Sequence, residues 1–229
     1  MTEQEQQWFV ALTMDRTESA NMLEKPSMRG VQRSVVDKYS DQAHFIYELL
    51  QNADDVKATT ATFRLEENGL YFTHNGSIRF TVSNPQNEEA DTKNRILGHI
   101  NAITSIANSN KTGASIGKFG VGFKAVFQYT QTPHIYDPDI RFKIERFIVP
   151  HMLNAELDWR KPSETVFFFP FDHKEKLPQE SHDEILEKLK VLEFPVLFLS
   201  CLESVSFEVG KVIPVVNENS VKLHYPPIR

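Results

Sequence analysis

The segment "HFIYELLQNADDVKAT", residues 44–59, decides how this chain is read. Ile46, Leu49, Leu50, Ala53 and Val56 recur at helical spacing and define an apolar face. Glu48, Asn52 and Asp55 stand at i, i+4 and i+7, so they share the other side of the same helix. Most polar helix faces do nothing but meet water, and they are usually filled by Lys, Glu and Arg. This one carries Gln51, Asn52 and Asp55, with poor helix formers among them. A local cost of that kind often marks a site.

The composition narrows what kind of site it is. A chain of 229 residues, 40% apolar, has ample material for a core and reads as one large domain. A net charge of −6 does not indicate nucleic acid as a partner. Cys201 is the only cysteine, which excludes an internal disulfide framework and suits a reducing compartment. The N-terminus shows no basic flank followed by an apolar core, and no apolar run approaches the roughly 20 residues that span a bilayer. A cytoplasmic protein without a membrane partner is expected.

Along the chain, residues 1–40 read as a polar, irregularly helical extension. "ATTATFRLEENGLYFTHNG" reads as two strands around a turn at Asn68-Gly69. A polar insert, "SNPQNEEADTKN", leads to "RILGHINAITSIANS", where Ile96, Ile100, Ile103 and Ile106 predict an amphipathic helix. "PHIYD", "RFKIERFIVP" and "ETVFFFPF" read as strands and "SHDEILEKLKVLEF" as a helix. "SVSFEV", "KVIPVV" and "VKLHYP" close the chain as strands. The order predicts an α+β fold, with helices layered on a sheet.

The glycine-dense stretch 108–130 nearly fits three unrelated patterns. "GASIG" satisfies G-x-S-x-G and would make Ser115 a nucleophile, but the polar "ANSNKT" before it supplies no strand. "GASIGKF" is one residue short of a P-loop, with Phe119 where a Mg²⁺-binding hydroxyl is needed. "GVGFKA" lacks the preceding strand of a βαβ unit. The three share one physical feature: Gly117, Gly120 and Gly122 precede the apolar run "FKAVFQY". Small residues before a helix start let backbone N–H groups approach a phosphate. A flexible glycine turn packed on Phe119 and Phe123 is the plainer alternative.

Taken together, E-x-x-x-N-x-x-D on a helix, a hairpin ending in N-G, a polar insert and "GKFGVGF" resemble the GHKL ATPase superfamily. "FIYELLQNADD" is most similar to its sacsin-like ATP-binding repeats, and the glycine box to its heat-shock-chaperone branch. The resemblance runs from about Tyr39 to about Phe171. It implies a Bergerat-type two-layer sandwich, with helices on a mixed, mostly antiparallel sheet. It also implies a mobile lid over about residues 84–116 and a C-terminal helix and strands over about 172–229, all in one ATP-binding domain.

By the same resemblance Glu48 is the general base that activates water, and Asn52 is the Mg²⁺ ligand. Asp55 closes the acidic box. Gly117, Lys118, Phe119, Gly120, Val121, Gly122 and Phe123 form the phosphate-side turn, and Thr165 lies near the base. His74, Asn75 and Gly76 occupy the base-side turn, where relatives have D-x-G-x-G. A neutral His74 is expected to accept from an adenine amino group and to lose that ability on protonation near pH 6.5. Alternatively, Asn75 turns inward to read the base. The implied ligands are ATP or ADP with Mg²⁺, and the implied activity is slow ATP hydrolysis coupled to lid closure. The implied partners are a protein client or further domains of a longer protein, with ATP-dependent dimerisation. A non-hydrolysing nucleotide-sensing or scaffold module is the alternative.

Overall fold

A computed structural model describes residues 1–28, 30–31, 34, 36, 44–106, 122–192, 199–210 and 223–225. It is an α+β structure built on one mixed sheet. The strands are β1 (Thr60–Glu66), β2 (Gly69–His74), β3 (His134–Tyr136), β4 (Arg141–Glu145), β5 (Val149–Met152), β6 (Thr165–Pro170), β7 (Ser204–Val209) and β8 (Leu223–Tyr225). Their spatial order is β5-β4-β3-β6-β2-β1-β7-β8. Among the described strands, only β1 and β7 run parallel, and the other pairs are antiparallel.

Alternation of side chains decides the two faces. Ala61, Phe63 and Leu65 of β1 face the same way as His74, Phe72 and Leu70 of β2, and as Phe167 and Phe169 of β6. This face carries the main core, with Phe63 stacked on Phe207 at 5.6 Å between centroids. The helices α1 (Glu3–Leu23), α2 (His44–Asp55) and α5 (Pro178–Lys190) contribute Leu12, Leu49 and Ile185 to the same core. The opposite face carries a smaller cluster, Tyr71, Tyr136 and Val166, covered by Leu153 and Leu157.

Several expectations change in detail. The N-terminal extension contains one regular 21-residue helix, started by a capping box between Thr2 and Glu5. The hairpin loop is Glu67–Asn68 rather than Asn68-Gly69, because Glu66 pairs directly with Gly69. None of these loop residues has a positive φ. Gly69 is needed instead for close approach, since a Cβ there would lie 2.6 Å from the Phe169 carbonyl oxygen. "RFKIERFIVP" is two strands, folded back at Arg146 and Phe147, which take positive φ values of 49° and 74°.

Among the described residues of "RILGHINAITSIANS", the expected helix is only α4 (His99–Ile103). Gly98 stands at its start, and Ile96 is outside it and exposed. Before it, Asn84 caps a 3-10 turn, Pro85–Asn87, that leads into α3 (Glu88–Asn94). The strand read at "KVIPVV" lies outside the described residues. Among the described residues, no helix is long and apolar enough to cross a membrane.

Candidate functional site

α2 is held at its C-terminal end by two sets of contacts. Asp54 accepts from the backbone N–H groups of Ser200 (3.0 Å), Cys201 and Leu202 (2.8 Å), which fixes the entry to β7. Burial raises the carboxyl pKa of Asp54, and these three donors more than offset it, so the net shift is downward. Just beyond the same end, Ser77 N–H donates to the Val56 carbonyl (2.9 Å). Gly76 packs so closely that a Cβ would sit 2.5 Å from Val56 Cγ2. These contacts press α2 onto the end of β2.

The face predicted to carry function is not a wet one. Asn52 is only 5% exposed, while Glu48 and Asp55 are half-buried and Gln51 alone is open to solvent. Among the described residues, the Asn52 Nδ2 is buried without a hydrogen-bond partner. Such a group costs about 1–3 kcal/mol unless something binds it. Rotating the amide by 180° exchanges Nδ2 for Oδ1. Asn52 is therefore able to offer either a donor to an anion or an oxygen to a cation.

Glu48 meets the glycine segment directly. The 3-10 helix Gly122–Gln128 packs against α2, and a Cβ on Gly122 would fall onto the Glu48 carboxylate. Any side chain there would displace the Glu48 carboxylate. Phe123 anchors the segment, buried against Phe167 and Phe169 at 6.1 Å from each ring. Lys124, which sequence reasoning missed, is buried too and donates to the Phe147 carbonyl (2.8 Å). Burial, and after it the Arg16 charge, push its pKa down to about 7. Gly117, Lys118, Phe119, Gly120, Val121 and Ser115 lie outside the described residues.

The turn at His74–Gly76 differs from expectation. His74 is buried, and its Nδ1 accepts from the Gly76 N–H at 3.1 Å. The neutral ring therefore carries its hydrogen on Nε2 and presents a donor, not an acceptor. Burial first, and the Arg79 charge second, push its pKa down to about 3, so no titration near 6.5 follows. Asn75 does not turn inward. Its Oδ1 accepts from Thr59 N–H (2.9 Å) and Thr60 N–H (3.0 Å), and its Nδ2 donates to the Thr59 hydroxyl. Thr165 pairs with His74 across the sheet and donates its hydroxyl to Asp137 Oδ2 at 3.0 Å. Asp137 closes the run "PHIYD", read only as a strand, and carried no functional signal in the sequence.

The insert expected as a lid is pinned in its first part. Asn101, fully buried, accepts from Ser83 N–H and donates to the Ser83 carbonyl and to Glu88. Arg16 of α1 closes this network through Glu88.

Comparison with known proteins now decides the relationship. A family model described as the Sacsin domain matches residues 26–144, which include Glu48, Asn52, His74 and Gly122. The chain belongs to the Sacsin-domain family. It is 33% identical over 124 residues to Protein NO VEIN of Arabidopsis thaliana, a match covering 51% of this chain and 4% of that protein. It is 27% identical over 164 residues to Sacsin of Homo sapiens, covering 62% of this chain and 3% of that protein. The chain thus spans a small part of each relative. Helix α1 precedes the matched region.

Proposed function

We propose that this Sacsin-family domain binds ATP with Mg²⁺ and hydrolyses it slowly, on a fold of the Bergerat type. The observation that carries the reading is the packing of Gly122 on the Glu48 carboxylate. It sets Glu48 of one motif that resembles GHKL ATPases against Gly122 of the other, beside Asn52, whose buried Nδ2 has no partner among the described residues. Glu48 then acts as general base on a water at the terminal phosphate, a role that needs a carboxylate held in place rather than a mobile one. The Asn52 amide oxygen fits Mg²⁺, which would neutralise charge on the phosphate oxygens. Nucleotide-driven closure of the 84–116 lid, anchored by the Ser83–Asn101–Glu88 network, is the proposed conformational output. A longer protein, its client and dimerisation belong to the same proposal.

Millimolar Mg-ATP is expected to raise the melting temperature, because ligand in large excess over Kd adds a few kcal/mol. Asn52→Ala should remove the Mg²⁺ dependence of that shift. Glu48→Gln should keep the shift and abolish phosphate release, since a general base acts on the transition state. Absence of any shift in the wild type overturns nucleotide binding. Equal phosphate release by wild type and Glu48→Gln points instead to a non-hydrolysing sensor or scaffold.

A further inference from the structure

Lys124 is a buried amine with a narrow set of partners. It lies two residues beyond Gly122 on the 3-10 helix Gly122–Gln128 and is 1% exposed. Lysine is almost never buried so deeply without a paired charge, because the ammonium group loses its water. Its Nζ donates to the Phe147 carbonyl at 2.8 Å, and lies 4.9 Å from the Phe147 ring centroid and 5.5 Å from that of Phe127. The two rings meet at 4.8 Å between centroids. Phe147 thus receives the lysine through its carbonyl and its ring alike.

The turn that presents Phe147 is held from its other side by α1. Arg146 and Phe147 are consecutive non-glycine residues with positive φ, a conformation that bulky side chains keep only with support. Arg146 donates to both carboxylate oxygens of Glu24 (2.8 and 2.7 Å) and to Asn21 Oδ1 (2.7 Å). The Thr13 hydroxyl donates to the Pro150 carbonyl at 2.9 Å, which fastens α1 to the start of β5. Contacts therefore run without a break from α1 to the turn, to Lys124, and through Gly122 to Glu48. The charged groups around Lys124 are few. α1 presents Arg16, bonded to Asp15 and Glu88, and the turn presents Arg146, bonded to Glu24. α2 presents Glu48, against Gly122. Among the described residues no carboxylate pairs with Lys124.

We infer that Lys124 is a positioning residue: by tying the glycine segment to the turn that α1 holds, it keeps Gly122 against the Glu48 carboxylate and fixes where that carboxylate points. The catalytic consequence rests on the proposed ATP hydrolysis, whereas the tie itself does not. Two physical signatures follow. Replacing a buried charge by an apolar chain of similar length should leave the stability of the fold unharmed. The second signature is linkage. Burial, and after it the Arg16 charge, lower the Lys124 pKa from 10.5 to about 7. Opening the segment returns the amine to water, so opening takes up a proton between about pH 7 and 10.5. Opening therefore becomes harder as pH rises through that window, by up to about tenfold per pH unit, and is independent of pH below it.

The experiment is hydrogen exchange of the full chain without nucleotide at pH 6.0, 7.0, 8.0 and 9.0, with the intrinsic rate divided out. Melting temperature and phosphate release with Mg-ATP are measured beside it. In wild type, protection of residues 122–128 should be level up to about pH 7 and then rise, and Lys124→Met should show no rise. Protection that ignores pH in wild type, or rises equally in Lys124→Met, overturns the tie. Lys124→Met should keep its melting temperature and its ATP-induced shift, while phosphate release falls about tenfold or more, because a displaced base costs rate rather than affinity. Unchanged release overturns the positioning role. A fall in release matched by a fall in melting temperature shows a merely structural lysine and overturns it too. Absence of release by wild type overturns the proposed hydrolysis alone, and the exchange profile then decides the tie. Should Lys124→Met fail to fold, Lys124→Gln, which keeps a neutral donor, takes its place with the same expected loss of the pH-dependent rise.

Discussion

At the scale of a residue, burial changes what His74 is able to do. In an unfolded chain an imidazole takes up its proton near pH 6.5, whereas in the fold His74 stays neutral down to about 3. Between those values the unfolded state holds more protons, so stability falls as pH falls. One such group contributes a slope of up to about 1.4 kcal/mol per pH unit across that window. Urea denaturation at pH 7.5, 6.0 and 5.0 should therefore show His74→Phe losing less stability on acidification than wild type. Identical slopes would mean that the ring is not held neutral by burial. His74 itself should add no pH dependence to nucleotide affinity between pH 5.5 and 7.5, because the folded ring does not titrate there, so wild type and His74→Phe should show parallel profiles.

At the scale of an element, the β1–β2 hairpin separates turn chemistry from packing. Its glycine is required by the neighbouring β6, where the Phe168 ring and the Phe169 carbonyl leave no room for a Cβ. Gly69→Ala should destabilise by about 1–3 kcal/mol through overpacking. Asn68→Ala should cost less than about 0.5 kcal/mol, because Asn68 holds no left-handed conformation and is exposed. Chemical denaturation of the two variants distinguishes the cases, and the reverse ranking would restore a turn governed by Asn68-Gly69.

At the scale of the whole molecule, α1 reaches across to the insert. Arg16 is 7% exposed and bonds both Asp15 and Glu88, the latter shared with Asn101. Removing a buried partner leaves an uncompensated charge, which costs more than the pair contributes when intact. Glu88 is partly exposed, so solvent screens part of that cost. Arg16→Leu should lower stability by about 1–3 kcal/mol. It should also raise hydrogen exchange over residues 84–101 well before exchange rises in β1 and β2. Uniform exchange across both regions would show that α1 supports the fold generally rather than the insert. The same residue lowers the pKa of Lys124 after burial, which links α1 to the glycine segment as well.

The sequence by itself determined the elements whose signal is periodic. Ile46, Leu49, Leu50, Ala53 and Val56 are all buried, as their spacing requires, and β1, β2, β6, β7 and α5 stand where alternation and amphipathicity place them. By resemblance it also assigned Glu48 and Gly122 to one proposed site. Only the tertiary structure decided that the two touch, because contact between residues so far apart in the chain depends on how α2 packs. It alone made Asn75 a staple of the α2–β1 turn and Asp54 a cap for the β7 entry, since local patterns do not say which backbone groups arrive at a side chain. Asp137 was invisible for a related reason: its partner Thr165 is supplied by strand order, and strand order is set by sheet assembly. His74 illustrates the limit most clearly. Its identity was legible in the sequence, but its tautomer and its proton affinity are properties of the burial that the fold imposes.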